Sequence, residues 1–304
     1  MNILITGGTG LFGSYLAKRL SQDNKIKIIS RGKEKKYLTP QEFKRFNFTK
    51  CDIGNKGSLQ KVLSVDIDLV IHCAGRIDIQ NDGRCPEGII ETNLNSTIKL
   101  IEVMIEKGIK NLLFCSSMTV YGLNNRIPVK ESSKTNPVHF YGISKKWAEE
   151  AIIAYAQQGL IKALIVRYPG FFGYPRKNGY IYNITKKLIW NKDILLDTTG
   201  LKFWESINIE DASRLTQKLI ESWDWRKQVD IINCGYGEEV DFVKTAFRIK
   251  EILHSKSSIN VKKPLGYVKF YLDNKKLLSI VKANYNFYQG LRNFVIRYKE
   301  WVKQ

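Results

Sequence analysis

The chain has 304 residues, 43% of them hydrophobic, enough to bury a large core in one big domain or in a domain with a smaller lobe. Its formal net charge of +20 invites a nucleic-acid partner. The lysines are spread over the whole chain, however, with no basic stripe interleaved with aromatics, so no nucleic acid is expected. No stretch approaches the roughly 18 uninterrupted apolar residues of a bilayer span, and Met1-Asn2 run straight into the first strand. The expectation is a cytoplasmic protein without a transmembrane segment. The five cysteines, Cys51, Cys73, Cys85, Cys115 and Cys234, are odd in number and include no Cys-x-x-Cys pair. Neither a metal site nor a disulfide framework is expected.

Strand-like and helix-like segments alternate through the first 170 residues, the pattern of a parallel sheet flanked by helices. Strands are predicted at 2–6, 25–30, 46–51, 68–73, 111–116 and 162–167, with helices at 12–22, 55–64, 87–107 and 140–158. Such a doubly wound sheet places its ligands at the carboxyl ends of the strands. Beyond Arg167 the residues Pro169, Gly170, Gly173, Pro175 and Gly179 break the rhythm. A substrate lobe is expected over 171–304 after a nucleotide-binding domain over 1–170. Segments 207–209 and 229–233 read as short strands that either return to the main sheet or lie beside it.

The first strand runs into Gly7-Gly8-Thr9-Gly10-Leu11-Phe12-Gly13. Glycines at that spacing let backbone N–H groups approach a pyrophosphate at a helix N-terminus. The second strand ends in Ser30-Arg31-Gly32. A carboxylate there would receive a ribose 2′-OH, whereas an arginine pairs with a 2′-phosphate, so NADP(H) is preferred and NAD(H) stays open. Asp52-Ile53 follows the third strand, where the carboxylate either accepts from an adenine amino group or caps the next helix. Cys73-Ala74-Gly75 ends the fourth strand with small residues suited to a flat cofactor. Asn93 falls inside a predicted helix, where an amide is unfavourable unless its side chain has a partner. His72 sits in an apolar strand and is expected to be packed. Hydroxyls end the fifth strand at Ser116-Ser117-Met118-Thr119, and Tyr141 and Lys145 stand one helical turn apart. Transfer of hydride at a carbinol carbon needs a proton acceptor and a group that holds the oxygen. Tyr141 and Ser117 fill these needs, and the Lys145 ammonium is expected to lower the phenol's pKa while holding the nicotinamide ribose.

At these residues the chain resembles the extended short-chain dehydrogenase/reductase family, in its nucleotide-sugar epimerase/dehydratase branch. The likeness runs nearly end to end. It takes in the Gly7/Gly10/Gly13 turn, Asp52-Ile53, Ile71–Gly75, Ser116–Gly122, Tyr141-x-x-x-Lys145, Arg167–Gly173, Ile209–Ala212, Ile232–Gly235 and Gln289-Gly290-Leu291. It implies a Rossmann-type α/β fold with a smaller C-terminal α/β lobe, a nucleotide-sugar substrate, and Tyr168 among the dinucleotide contacts. It leaves a homodimer open. Dehydratases of the family carry acidic residues where this chain has Met118 and Thr119, so elimination of water is not expected. Thr119 is instead a substrate-binding candidate beside Ser117 and Tyr141. The family's diphosphate contacts also depart, with Gly170 in place of an asparagine and Trp204 in place of an arginine. Lys202 is the expected substitute, with Arg176 and Lys263 behind it.

The expected activity is therefore an NAD(P)-dependent enzyme that either reduces a 4-keto group or inverts C4 of a nucleotide-activated sugar. The alternatives are an oxidoreductase for a non-sugar ketone or alcohol, and a non-catalytic NADP(H)-sensing protein.

Overall fold

Short runs rich in isoleucine, leucine and valine form strands because branched side chains fit a pleat covered on both faces. The computed structural model describes residues 1–32, 37–77, 86–123, 125–197, 203–262, 269–282 and 285–302. In chain order these begin with β1 (Asn2–Thr6), α1 (Leu11–Leu20), β2 (Lys25–Ser30), α2 (Pro40–Arg45), β3 (Asn47–Lys50), α3 (Lys56–Val62) and β4 (Leu69–His72). Then come α4 (Pro86–Ile90), α5 (Ser96–Glu106), β5 (Asn111–Ser117), α6 (Phe140–Gln157), β6 (Lys162–Tyr168), β7 (Gly170–Phe172), α7 (Tyr180–Ile189), β8 (Ile194–Asp197) and β9 (Phe203–Trp204). The remainder is β10 (Ser206–Asn208), α8 (Ile209–Ser222), β11 (Val229–Asn233), α9 (Phe242–Leu253), β12 (Ile259–Lys262), β13 (Lys269–Phe270), α10 (Lys275–Val281) and α11 (Phe287–Val302).

Two compact units emerge. The first comprises Met1–Asn125, Glu131–Arg167 and Thr216–Asn233; the second comprises Arg126–Lys130, Tyr168–Leu215 and Cys234–Gln304. The division expected near residue 170 left segments around 205–235 free to return to the main domain, and the units interleave there. The reason is β11, whose Val229–Asn233 pairs in parallel with Ala163–Arg167 of β6 and carries the end of α8 into the first unit. That unit holds a seven-stranded sheet in the order β11-β6-β5-β4-β1-β2-β3, and its pairs are all parallel. The order reverses beside β1, so the carboxyl ends of β1 and β4 flank the crevice where doubly wound sheets bind ligands. Leu100, Ile101 and Met104 of α5 join Ala148, Ile152 and Ala156 of α6 in one core with Val70, Leu112, Phe114 and Ile165 of the sheet.

The expected helix over 87–107 is interrupted. α4 passes into a wider π turn over Glu91–Asn95 before α5 begins. Side chains compete there with the helical ladder: Ser96 Oγ donates to the Glu91 carbonyl at 2.9 Å and Thr97 Oγ1 to the Asn93 carbonyl at 2.7 Å.

In the second unit β10 pairs with β7, Ser206 opposite Gly170, so this predicted strand does not return to the main sheet. α9 packs against α7 and α11. Phe172 meets Phe287 and Phe294 edge-on at 5.6 and 6.0 Å between ring centroids.

Candidate active site

The turn after β1 is tight because three backbone segments share it. Gly7 has a positive φ of 65°, and a Cβ there would stand 2.8 Å from Ala74 backbone atoms. A Cβ on Gly13 would stand 2.4 Å from the Gly7 carbonyl oxygen, so that glycine serves close helix–strand packing. α1 starts after Gly10 without a side-chain cap, leaving the positive end of the helix to the crevice.

A cavity of about 810 Å³ opens at this turn. The expected residues Gly7, Thr9, Gly10, Arg31, Asp52, Ile53, Cys73, Ala74 and Gly75 line it. Ser30, Gly32 and Cys51 line it beside them, as do Ile29, Gly54, Asn55, Glu91, Thr92 and Ser96, which the sequence did not single out. The π turn delivers Glu91 and Thr92, and no local sequence pattern announces it. Leu11, Phe12, Gly13, Asn93, Tyr141, Lys145 and Tyr168 are not on its wall. Phe12 and Gly13 are buried in α1, and Tyr168 lies in the second unit, 5.4 Å from the Phe171 ring. The fit to a dinucleotide rests on this backbone-lined cradle at a helix N-terminus, with small residues on one wall and a cation, Arg31, at the strand end.

Asn93 fastens the wall from behind. Its side chain accepts from the Arg76 N–H at 2.7 Å and donates to the Arg76 carbonyl and to Ser144 Oγ, each at 2.9 Å. The predicted packed histidine is likewise enclosed: His72 meets Thr6 Oγ1 at 2.6 Å and Thr97 Oγ1 at 2.9 Å. Burial holds its pKa down to about 3, so it stays neutral. Asp52 caps no helix. Its carboxylate accepts from the Gly54 N–H at 3.0 Å, while Asn55 caps α3.

Ser117 ends β5 and caps a short turn over Met118–Tyr121. Its Oγ accepts from the Thr119 N–H at 3.3 Å and from Thr119 Oγ1 at 3.0 Å. Tyr141, in the first turn of α6, is hydrogen-bonded to the same Ser117. Lys145 is buried one turn on, its Nζ donating to the Cys115 carbonyl at 2.9 Å and lying 4.5 Å from the Phe114 ring centroid. Sequence reasoning thus assembles Ser117, Thr119, Tyr141 and Lys145 at one strand end. The expected pKa does not follow. Burial pushes the Tyr141 phenol up to about 12, with the Ser117 hydrogen bond pulling the other way, because the ammonium is directed at Cys115 rather than at the phenol. Burial also lowers the Lys145 pKa.

Behind this set lies an ion pair that sequence reasoning did not single out. Glu149, one turn beyond Lys145, receives Arg167 Nε at 3.0 Å and Nη2 at 2.6 Å, and Ser116 Oγ donates to the same carboxylate. Both charged side chains are buried, and Arg167 also donates to the Glu131 carbonyl at 3.1 Å. The signal available was an arginine near the end of an otherwise apolar strand, since such a charge is buried only when paired.

In the second unit a smaller cavity of about 170 Å³ is lined by Gly170, Arg176, Asn178, Tyr180 and Ser206, among others. Arg176 Nε donates to Asn178 Oδ1 at 2.5 Å. Lys202 and Lys263 lie outside the described residues, as does the Trp204 side chain. Glu205 is fully buried and accepts from the backbone N–H groups of Leu272 at 2.8 Å and Gly237 at 2.9 Å. Burial nevertheless pushes its pKa up to about 7.

A parallel Rossmann sheet, a glycine-lined dinucleotide cradle and a Ser/Tyr/Lys cluster at a strand end together define a nucleotide-dependent oxidoreductase of the short-chain type. Comparison with known proteins narrows the class. The model of the NAD dependent epimerase/dehydratase family matches residues 3–235, and the chain belongs to that family. A putative UDP-glucose 4-epimerase of Methanocaldococcus jannaschii is 28% identical over 99% of this chain and 98% of its own length. A putative UDP-arabinose 4-epimerase of Arabidopsis thaliana is 29% identical over 57% of this chain, which spans 43% of that protein. Among solved structures, UDP-glucose 4-epimerase of Thermotoga maritima with UDP-glucose superposes with a TM-score of 0.85 at 22% identity, covering 99% of this chain and 100% of that one. UDP-glucuronic acid 4-epimerase of Bacillus cereus, in complex with UDP-glucuronic acid and NAD, gives 0.83 at 22% identity, covering 100% and 99%.

Proposed function

We propose that this protein inverts C4 of a nucleotide-activated sugar, a UDP-sugar foremost, with a nicotinamide dinucleotide held in the glycine-lined cavity. The observation that carries the reading is the Tyr141–Ser117 hydrogen bond at the end of β5 with Lys145 one turn on, in a chain matched end to end by a putative UDP-glucose 4-epimerase. A nicotinamide bound there would supply the hydride acceptor and donor for C4. Tyr141 takes the proton of the C4 hydroxyl and gives it back to the keto oxygen, Ser117 holds that oxygen, and Lys145 orients the ribose. Gly7, Thr9 and Gly10 receive the pyrophosphate, and Asp52-Ile53 face the adenine. Arg31, exposed at the end of β2 on the cavity wall, supports a preference for the 2′-phosphate of NADP(H).

Met118 and Thr119 offer no carboxylate beside Ser117, which disfavours elimination. The test is to incubate the protein with UDP-glucose, UDP-galactose, UDP-glucuronic acid and UDP-arabinose, with NAD⁺ or NADP⁺, and to read product stereochemistry by NMR. A C4 epimer without net change in the dinucleotide supports the reading. In a parallel incubation of a UDP-4-keto-sugar with NADPH, reduced sugar formed with stoichiometric oxidation of NADPH, and no epimer in the first incubation, assigns the protein to reduction instead.

A further inference from the structure

We propose that Cys73 and Cys115 form a peroxide-responsive dithiol in the wall of the dinucleotide cavity, closing to a disulfide that slows the enzyme. The two sulfurs lie 3.4 Å apart. The register of β4 on β5 pairs His72 with Phe114, so its next step sets Cys73 opposite Cys115 with both side chains on one face. Neighbouring strands hold such Cα atoms about 4.8 Å apart, within the span that a disulfide bridges. Cys73 lines the cavity and is partly exposed, which gives a small oxidant its path, and Cys115 is only 9% exposed behind it.

The chemistry balances with a peroxide as oxidant. Attack of the Cys73 sulfur on the peroxide forms a sulfenic acid and releases one water. The Cys115 sulfur then attacks that sulfur, the S–S bond forms, the S–O bond breaks, and the departing hydroxide leaves with the Cys115 proton as a second water. Two thiols thereby lose two electrons to one peroxide. The Cys73 thiol's pKa stands well above its ordinary value, through its hydrogen bond to Cys115 and its burial, against the pull of the Lys145 ammonium, so the thiolate is scarce near neutrality and closure speeds up as pH rises. Closing the gap from 3.4 Å to the bond length of about 2.05 Å brings the two sulfurs together by more than about 1 Å, by rotation of side chains whose backbones already stand at bridging distance. The Cys115 carbonyl anchors Lys145, and Ser117 follows two residues on. Rotation that strains the Cys115 peptide and misplaces the Lys145 ammonium held by its carbonyl by about 1 Å lowers turnover by on the order of a hundredfold.

The closure itself is independent of the assigned reaction; only its effect on turnover rests on that reading. The experiment treats the fully reduced full-length protein with hydrogen peroxide at two pH values, maps peptides without reduction, follows epimerase turnover in parallel, and then adds dithiothreitol. The expected result is a Cys73–Cys115-linked peptide that accumulates faster at the higher pH, with turnover falling about tenfold to a hundredfold in proportion. Dithiothreitol restores both. In Cys115→Ser, Cys73 goes on to sulfinic acid and dithiothreitol restores nothing. Peroxide that oxidises methionines while leaving Cys73 and Cys115 unlinked, a link to Cys85 instead, or a link that leaves turnover unchanged overturns the proposal. Absence of turnover in the reduced protein counts against the assigned reaction, and the peptide map still decides the dithiol.

Discussion

Removing one oxygen separates the roles crowded around Ser117. Tyr141→Phe keeps the buried ring and deletes only the group that exchanges the proton, so turnover should fall by about two to four orders of magnitude while dinucleotide binding survives. Near-normal turnover in that variant, measured beside dinucleotide affinity, would take Tyr141 out of the mechanism. The same oxygen sets the pH dependence. With the phenol held up at about 12, its base form is scarce at neutral pH and grows as pH rises. Turnover is expected to climb through about pH 7 to 9, and the climb should vanish in Tyr141→Phe; a flat wild-type profile contradicts this. The proposed cofactor preference is tested at a second residue position. Exchanging Ser30 for Asp and Arg31 for Ala should weaken NADPH and improve NADH, because a 2′-phosphate loses its cation and meets a carboxylate. Tighter binding of NADH than of NADPH by the unmodified protein at equal ionic strength would remove the preference for the phosphorylated cofactor.

At the scale of elements, β5, α6 and β6 are joined by the Ser116–Glu149–Arg167 network. Truncating Glu149 to Ala leaves a buried guanidinium uncompensated, a change expected to destabilise the fold by about 3–5 kcal/mol in urea unfolding. A loss below about 1 kcal/mol would mean that water reaches Arg167. In the second unit, Glu205 links β9 and β10 to the backbone at Gly237 and Leu272 and titrates near 7 in the folded protein, above its ordinary 4.5. A carboxyl raised on folding contributes its full stability below about pH 4.5 and loses it as pH rises towards 7. Glu205→Gln does not titrate, so the wild type should lose ground to it by up to about 3 kcal/mol over that interval. Chemical denaturation of both proteins at either end of the range reads the gap, and a constant gap would contradict the assignment.

Over the whole molecule, what could be read from the sequence was what local chemistry dictates. Apolar runs gave β1, β4, β5 and β6 to within a residue or two, since a strand covered on both faces needs continuous apolar residues. The Gly7–Gly13 turn and the Ser117/Tyr141/Lys145 set were legible because their chemistry requires those residue types at those spacings. Features that depend on distant partners were not. The π turn at Glu91–Asn95, where Asn93 reaches Arg76 and Ser144, depends on such partners, while the pairing of β11 with β6 is one of the two placements that the sequence left open. The Tyr141 phenol titrates high because burial outweighs a charge whose direction only the fold decides. The central claim is that one site removes hydrogen from C4 and returns it to the same carbon from the other face. Turnover of a UDP-sugar carrying deuterium at C4 tests it most directly. The account predicts inverted sugar that retains its C4 deuterium, with none released to solvent or left in the dinucleotide; loss of the label from C4 in the inverted product would contradict it.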